Sequence, residues 1–122
     1  MASKASFENL FIDCVDSTNM QNFYAQLTGW EQSVIYGEPA LVSDRGVNII
    51  FLTADFDYVS PTWPEKVGSQ QKQMHFDLKV EDIEEAVKVA IQYGGTKSEH
   101  QFGKEWVTLL DPEGHPFDVY EE

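Results

Sequence analysis

A single cysteine, Cys14, stands among 122 residues, so no disulfide can form within the chain. It lies in the apolar stretch 10–15, where an inert core thiol is expected. Basic side chains are scarce: 8 Lys and Arg against 21 Asp and Glu leave a net charge of −13, which works against anionic partners. Counterion release on nucleic acid and attraction to anionic lipid both need clustered Lys and Arg. No such cluster occurs, which excludes nucleic-acid and membrane-surface partners. The acidity reads first as solubility, and secondly as a pull on cationic ligands wherever acids line a cleft. No run approaches the roughly 18 apolar residues of a membrane span, and the opening MASKASFENL lacks a signal-peptide apolar core. A cytoplasmic protein is expected. Phosphate-cradling patterns such as GxGxxG or GxxxxGK are missing too, and Gly103 and Gly114 read as turn glycines.

What is present points to one domain over residues 1–122, long enough to bury roughly two thirds of its extended-chain surface. Residues 7–15 suggest a strand. Met20, Phe23, Tyr24 and Leu27 then fall at i, i+3, i+4 and i+7, one stripe of a helix. Asp16 or Ser17 can cap that helix and Gly29 can stop it. Strands are expected at 33–37 and 40–43, around Glu38-Pro39, and at 47–54. A long polar loop, 55–73, follows, the kind of segment that serves as a lid or a connector. Next come a strand at 74–80 and a helix opened by Asp82 and Glu85 as a capping box, with Ile83, Ala86, Val87, Ala90 and Ile91 as its buried stripe. Gly94-Gly95 ends it. Short strands near 96–99, 105–110 and 117–120 complete the chain, the last two joined by the turn DPEG, where Asp111 shapes the turn.

A repeat underlies this order. A shift of 65 residues lays Val15 on Val80, Asp16 on Glu81, Ala25 on Ala90 and Gly29 on Gly94. Element order, helix length and stop position agree as well. The chain therefore divides into two βαβββ modules, 7–54 and 74–121, joined by the loop 55–73. An α+β fold follows, with a curved mixed sheet around a central cavity and helices packed outside.

Three stretches carry a family resemblance: LFIDCVDSTNMQNFYAQLTGW (10–30), QMHFDLKVEDIEEAVKVAIQYGG (73–95) and WVTLLDPEGHPFDVYE (106–121). With these the chain resembles the vicinal oxygen chelate superfamily, which includes glyoxalase I, fosfomycin-resistance enzymes, extradiol dioxygenases and bleomycin-resistance proteins. It looks most like the small glyoxalase-like domains. Phe23-Tyr24 ahead of Gly29-Trp30, together with the late DPEG-His-Pro-Phe, specify the fold and not a substrate.

In metal-dependent members, ligands come from an inward position on the first strand of each module and another on its last strand. Carried over, these positions are Leu10 and His75, then Thr53 and Asp118. Leucine cannot ligate and threonine is a poor ligand, so only two donors remain where three or four must converge. No metal cofactor is therefore expected. His75 and Asp118 are the best catalytic candidates, since an acid partner favours the imidazolium and orients the ring. Trp30, Phe51, Trp63, Trp106 and Phe117 are expected in the wall of a ligand pocket, with His75 and Asp118 inside it. Trp63, between Pro61 and Pro64, has no packing partner in its own segment. Phe23 reads as core, Tyr24 shares its helix stripe without a settled place, and His100 and His115 read as loop residues. The resemblance implies a glyoxalase-like protein that binds a small organic molecule, as a homodimer. The alternatives are a metal-dependent lyase or dioxygenase, and a bleomycin-type drug-sequestering protein.

Overall fold

The computed structural model describes residues 4–54 and 57–121; Asp55 and Phe56 of the expected loop, and the extreme ends of the 1–122 span, lie outside the described residues. The first half runs β1 (Asn9–Cys14), α1 (Ser17–Thr28), β2 (Glu31–Ile35), β3 (Glu38–Val42) and β4 (Asn48–Thr53). The second runs β5 (Asp77–Lys79), α2 (Ile83–Gln92), β6 (Thr96–Lys97), β7 (Trp106–Leu110) and β8 (Pro116–Tyr120). Each half makes its own four-stranded sheet, in the orders β1-β4-β3-β2 and β5-β8-β7-β6. In both, the first strand lies parallel to the last and the rest are antiparallel. The same order twice is the duplication that the repeat implies, a tandem βαβββ fold in two mixed sheets, neither strongly curled. Among the described residues, no helix is long and apolar enough to cross a membrane.

Local chemistry explains the boundaries. Asp16 accepts from the Asn19 N–H at 3.0 Å and Asp82 from the Glu85 N–H at 3.3 Å, so each helix begins on an aspartate cap. Gly29, at φ 75°, closes α1 in the left-handed region. The turn between β2 and β3 falls at Tyr36-Gly37, both with positive φ, and not at Glu38-Pro39 as expected. Two left-handed residues match the twist of a tight hairpin. Pro39 sits inside β3, beyond the stretch that pairs with β4, where its missing N–H breaks no ladder there.

The structure also corrects the repeat. The helix caps Asp16 and Asp82 are 82 − 16 = 66 residues apart. Leu10, Ile12 and Cys14 pack into the core, as do Phe76, Leu78 and Val80, again 66 apart. In β1 and β5 a one-residue slip exchanges the two faces of a strand. Leu10 is therefore a core residue rather than the counterpart of His75; Asn9 holds that place, with its Oδ1 accepting from Asn48 Nδ2 at 3.0 Å.

One core serves both modules, and Tyr24 is its centre. Its ring stacks on Phe51 of β4 at 6.0 Å and meets Phe76 and Phe117 edge-on at 5.3 and 5.6 Å. Phe23 lies edge-on at 4.9 Å. Phe23 also explains Gly95: a Cβ there would come within 2.8 Å of the Phe23 ring and 2.7 Å of the Leu110 carbonyl oxygen. Cys14 is buried, donates Sγ–H to the Leu52 carbonyl, and has its pKa pushed up to about 12 by burial and by the carboxylates of Glu113 and Asp111. Such a thiol stays protonated and unreactive.

The Tyr24 hydroxyl donates to buried Asp111 Oδ2 at 2.8 Å, while Oδ1 accepts from the N–H groups of Glu113 and His115 at 3.0 Å each. From the same turn, Glu113 accepts from the N–H groups of Val15 and Asp16 at 2.7 and 2.8 Å. The second module thus grips the start of α1. Burial raises the Asp111 pKa above 3.8, against the lowering effect of these hydrogen bonds. A carboxyl that is harder to ionise folded than unfolded gives stability that is full below 3.8 and lost as pH rises through the folded value. Asn can keep the same bonds, with Nδ2 donating to the Tyr24 oxygen. Asp111→Asn should therefore stay within about 1 kcal/mol of wild type in urea unfolding at pH 7, whereas Asp111→Ala should lose about 3 kcal/mol. Relative to wild type, Asp111→Asn should gain stability as pH rises from about 3.5; a difference that falls with pH would contradict this.

Candidate functional site

The site is built from strand alternation. On β7, Val107 and Leu109 go to the core, which leaves Trp106 and Thr108 on the opposite face. On β8, Phe117 and Val119 are fully buried in the core, and Pro116 and Asp118 face the other way. The register sets Thr108 opposite Asp118, and the Thr108 hydroxyl donates to Asp118 Oδ1 at 2.7 Å. Asp77 of β5 pairs with Asp118, and His75 lies two residues earlier on that face. His75 Nε2 reaches Asp118 Oδ2 at 3.3 Å. Both oxygens of this carboxylate thus face a polar partner, Thr108 on one side and the His75 ring on the other.

Loop residues close the site. Gln101 holds the backbone of Thr108 with two hydrogen bonds at 2.9 Å, one in each direction, and also donates to the Ser98 carbonyl at 2.8 Å. Ser98, buried, accepts from Trp63 Nε1 at 3.0 Å. A continuous chain of contacts therefore joins Trp63, in the long connector, to the His75–Asp118 pair. The Trp63 ring meets Phe102 edge-on at 5.6 Å and carries Lys72 Nζ 4.7 Å from its centroid. That ammonium also pairs with Glu65 Oε1 at 2.9 Å. Trp106 packs directly on Gly103, where any Cβ would collide with the indole.

These groups bound a cavity of about 430 Å³. Its walls are Trp63, Pro64, Phe102 and Trp106; His75, Asp118 and Thr108 stand on one side and Glu65 and Lys72 on another. A second hollow of about 360 Å³ shares His75, Trp106 and Asp118 and adds Asp77, Glu105, Tyr120 and Glu121. Among the described residues, those that line the two hollows come from the connector or the second module.

Of the residues expected in the pocket, the structure brings together Trp63, His75, Trp106 and Asp118. It places Trp30, Phe51 and Phe117 elsewhere: Phe51 and Phe117 are 0% exposed, and Trp30 packs against the core. The reason is parity. Phe117 is adjacent to Asp118, and neighbours on a strand cannot share a face. Phe51 faces α1, where it stacks on Tyr24. The same rule could have found Thr108, two residues from Trp106, and Tyr120, two from Asp118. Lys72 and Glu65 had no signal in the sequence, since their meeting depends on how the connector folds.

Metal-dependent chemistry needs a converging donor set, and the side chains here do not fit one. Among the described residues no group of three His, Cys, Asp or Glu is placed to hold an ion. Asp118 already serves Thr108 and His75, Leu10 is in the core, and Asn9 is bonded to Asn48.

The model of the glyoxalase-like domain family matches residues 9–120. No curated protein matches the sequence. Among solved structures, a glyoxalase/bleomycin resistance protein/dioxygenase family enzyme from Burkholderia phytofirmans PsJN is similar at TM-score 0.70 and 17% identity, with 96% of this chain and 98% of that one covered. A glyoxalase/bleomycin resistance protein from Albidiferax ferrireducens T118 follows at 0.67 and 14%, covering 95% and 98%. An integron cassette protein from the mobile metagenome of V. cholerae is similar at 0.66 and 15%, covering 99% and 98%. Identities this low establish the shared fold alone.

Proposed function

The chain belongs to the glyoxalase-like domain family, and so to the vicinal oxygen chelate superfamily; from that premise we propose that it binds a small organic molecule in the cavity between Trp63 and Trp106. One observation carries this reading: aromatic walls and the His75–Asp118 pair, 3.3 Å apart, converge on a single hollow of about 430 Å³. Ligand pockets generally combine a mainly apolar lining with a few fixed polar groups. Thr108 fixes Asp118 and Asp118 fixes the His75 ring, so the polar contacts are oriented before a ligand arrives. If the ligand reacts, the group available to move a proton is the His75 imidazole, with Asp118 as its positioning residue. A metal-dependent lyase or dioxygenase would need a cluster of at least three donors, and no such group of His, Cys, Asp or Glu occurs among the described residues.

The test is a thermal-shift screen of small organic acids, amines and aromatic compounds, with hits quantified by calorimetry. Affinity should fall at least tenfold, or about 1.4 kcal/mol, in Trp106→Leu and in His75→Ala, and hold in the core control Trp30→Phe. Unchanged affinity in both cavity variants would contradict the reading.

We also propose a homodimer formed through the surface of the first module that carries Phe11 and Tyr36. Support comes from Phe11 and Tyr36, whose rings stack at 6.2 Å while remaining 46% and 75% exposed. Exposed aromatic pairs mark interaction surfaces. Light scattering should give twice the 13.9 kDa chain mass, and Phe11→Asp with Tyr36→Asp should halve it; a monomeric wild type would overturn the proposal.

A further inference from the structure

The Trp63 ring is already in use. Lys72 Nζ sits 4.7 Å from its centroid and 2.9 Å from Glu65 Oε1, and the lysine side chain is only 14% exposed. The protein's own ammonium thus occupies a seat made of an indole face and a carboxylate, inside the cavity wall. Aromatic faces attract cations through the ring quadrupole, most strongly for tryptophan. A lysine ammonium is an imperfect occupant of such a seat. It is compact and strongly hydrated, and it is held there by a flexible four-carbon stem that loses rotamer freedom. An organic ammonium with methyl or larger substituents carries the same charge with a weaker hydration shell, and its carbon body can cover the neighbouring Phe102 and Trp106.

The surrounding charges decide the sign of the ligand. Glu65 and Asp118 line this cavity, and Asp77, Glu105 and Glu121 line the adjoining hollow. Against those five carboxylates, the cavity's fixed cation is Lys72, with His75 already facing Asp118. An anion would have to pull Lys72 from both Glu65 and the ring, then sit among the remaining acids. A cation takes over the charge pairing with Glu65 and the indole face, and lets Lys72 swing into water.

We infer that the cavity takes a small organic ammonium compound with an apolar body, whose charged head displaces Lys72 from Trp63 and pairs with Glu65. Lys72 is then an internal competitor that sets how well a ligand must fit before it binds. This inference rests on the small-molecule reading of the same cavity and specifies its ligand class.

The experiment uses three probes with one body and different heads: benzyltrimethylammonium, benzyl alcohol and benzylphosphonate, titrated by calorimetry into the full-length protein. The cation should bind tightest. Lys72→Ala should strengthen cation binding about fivefold, because the competitor is gone, and leave the alcohol unchanged. Trp63→Leu should erase the preference for cation over alcohol, and Glu65→Gln should weaken the cation while leaving the thermal midpoint near that of wild type. If Lys72→Ala weakens the cation, Lys72 is no competitor and the inference fails; if the phosphonate binds tightest and loses affinity in Lys72→Ala, the seat is an anion site and the inference fails as well; in both cases the small-molecule reading stands. Equal binding of all three heads, or indifference to Trp63→Leu, also overturns it. Silence of all three probes overturns the inference, and only an empty wider screen would bring down the cavity reading with it.

Discussion

Tyr24 is the side chain on which the architecture turns. Its ring touches an aromatic from the first sheet, one from the second and Phe76 just ahead of β5, and its hydroxyl ends on Asp111 in the turn between β7 and β8. A buried hydroxyl and a buried carboxyl each require a partner, and here each satisfies the other. With both sheets pressed by their apolar faces into this shared core, the opposite face of the second sheet is left for Thr108 and Asp118. The same turn supplies Glu113, which caps the entry to α1 from across the module boundary. The two halves are coupled by directional bonds as well as by apolar area, so the spatial relation of α1 to β8 is fixed.

From that fixed point the site follows by alternation. Once Phe117 and Val119 are committed to the core, Asp118 has to project from the opposite face, and its register partner Thr108 has to meet it there. His75 arrives on the same face because Phe76 is drawn inward to Tyr24. The polar pair is thus a consequence of aromatic packing on the reverse side of the sheet. The connector then adds what the sheet cannot provide, an indole wall held by Ser98 and an ammonium–carboxylate couple lying against it.

Much of the fold was legible in the sequence. The helical stripe through Met20, Phe23, Tyr24 and Leu27, the aspartate caps, the stop at Gly29 and the DPEG turn all act through local chemistry, which a sequence carries directly. Duplication was visible too, but its offset was read as 65 from Gly29 and Gly94 when strand faces and caps repeat at 66. The second helix is two residues shorter, 10 against 12, so its stop is a poor ruler for what precedes it. That single residue put Leu10 on the wrong face. Tyr36-Gly37 was missed because a tyrosine in the left-handed region is rare, and Pro39 nearby was the louder turn signal. At the site, His75, Asp118, Trp63 and Trp106 could be named from residue type and resemblance. Phe51 and Phe117 lie in the core because strand parity, and not aromatic character, decides which face a residue takes. Lys72 on Trp63 is a tertiary event within an irregular segment, and no periodicity announces it.

The most direct test of the face assignment uses the chain's three tryptophans as reporters. In a nitrogen-15 spectrum each indole N–H gives its own signal, and titration with a ligand selected by thermal shift follows all three at once. The account requires the Trp63 and Trp106 signals to move together with saturation while Trp30, packed against the core, stays in place. Movement of Trp30 with the other two unmoved would put the ligand on the opposite side of the molecule and contradict it.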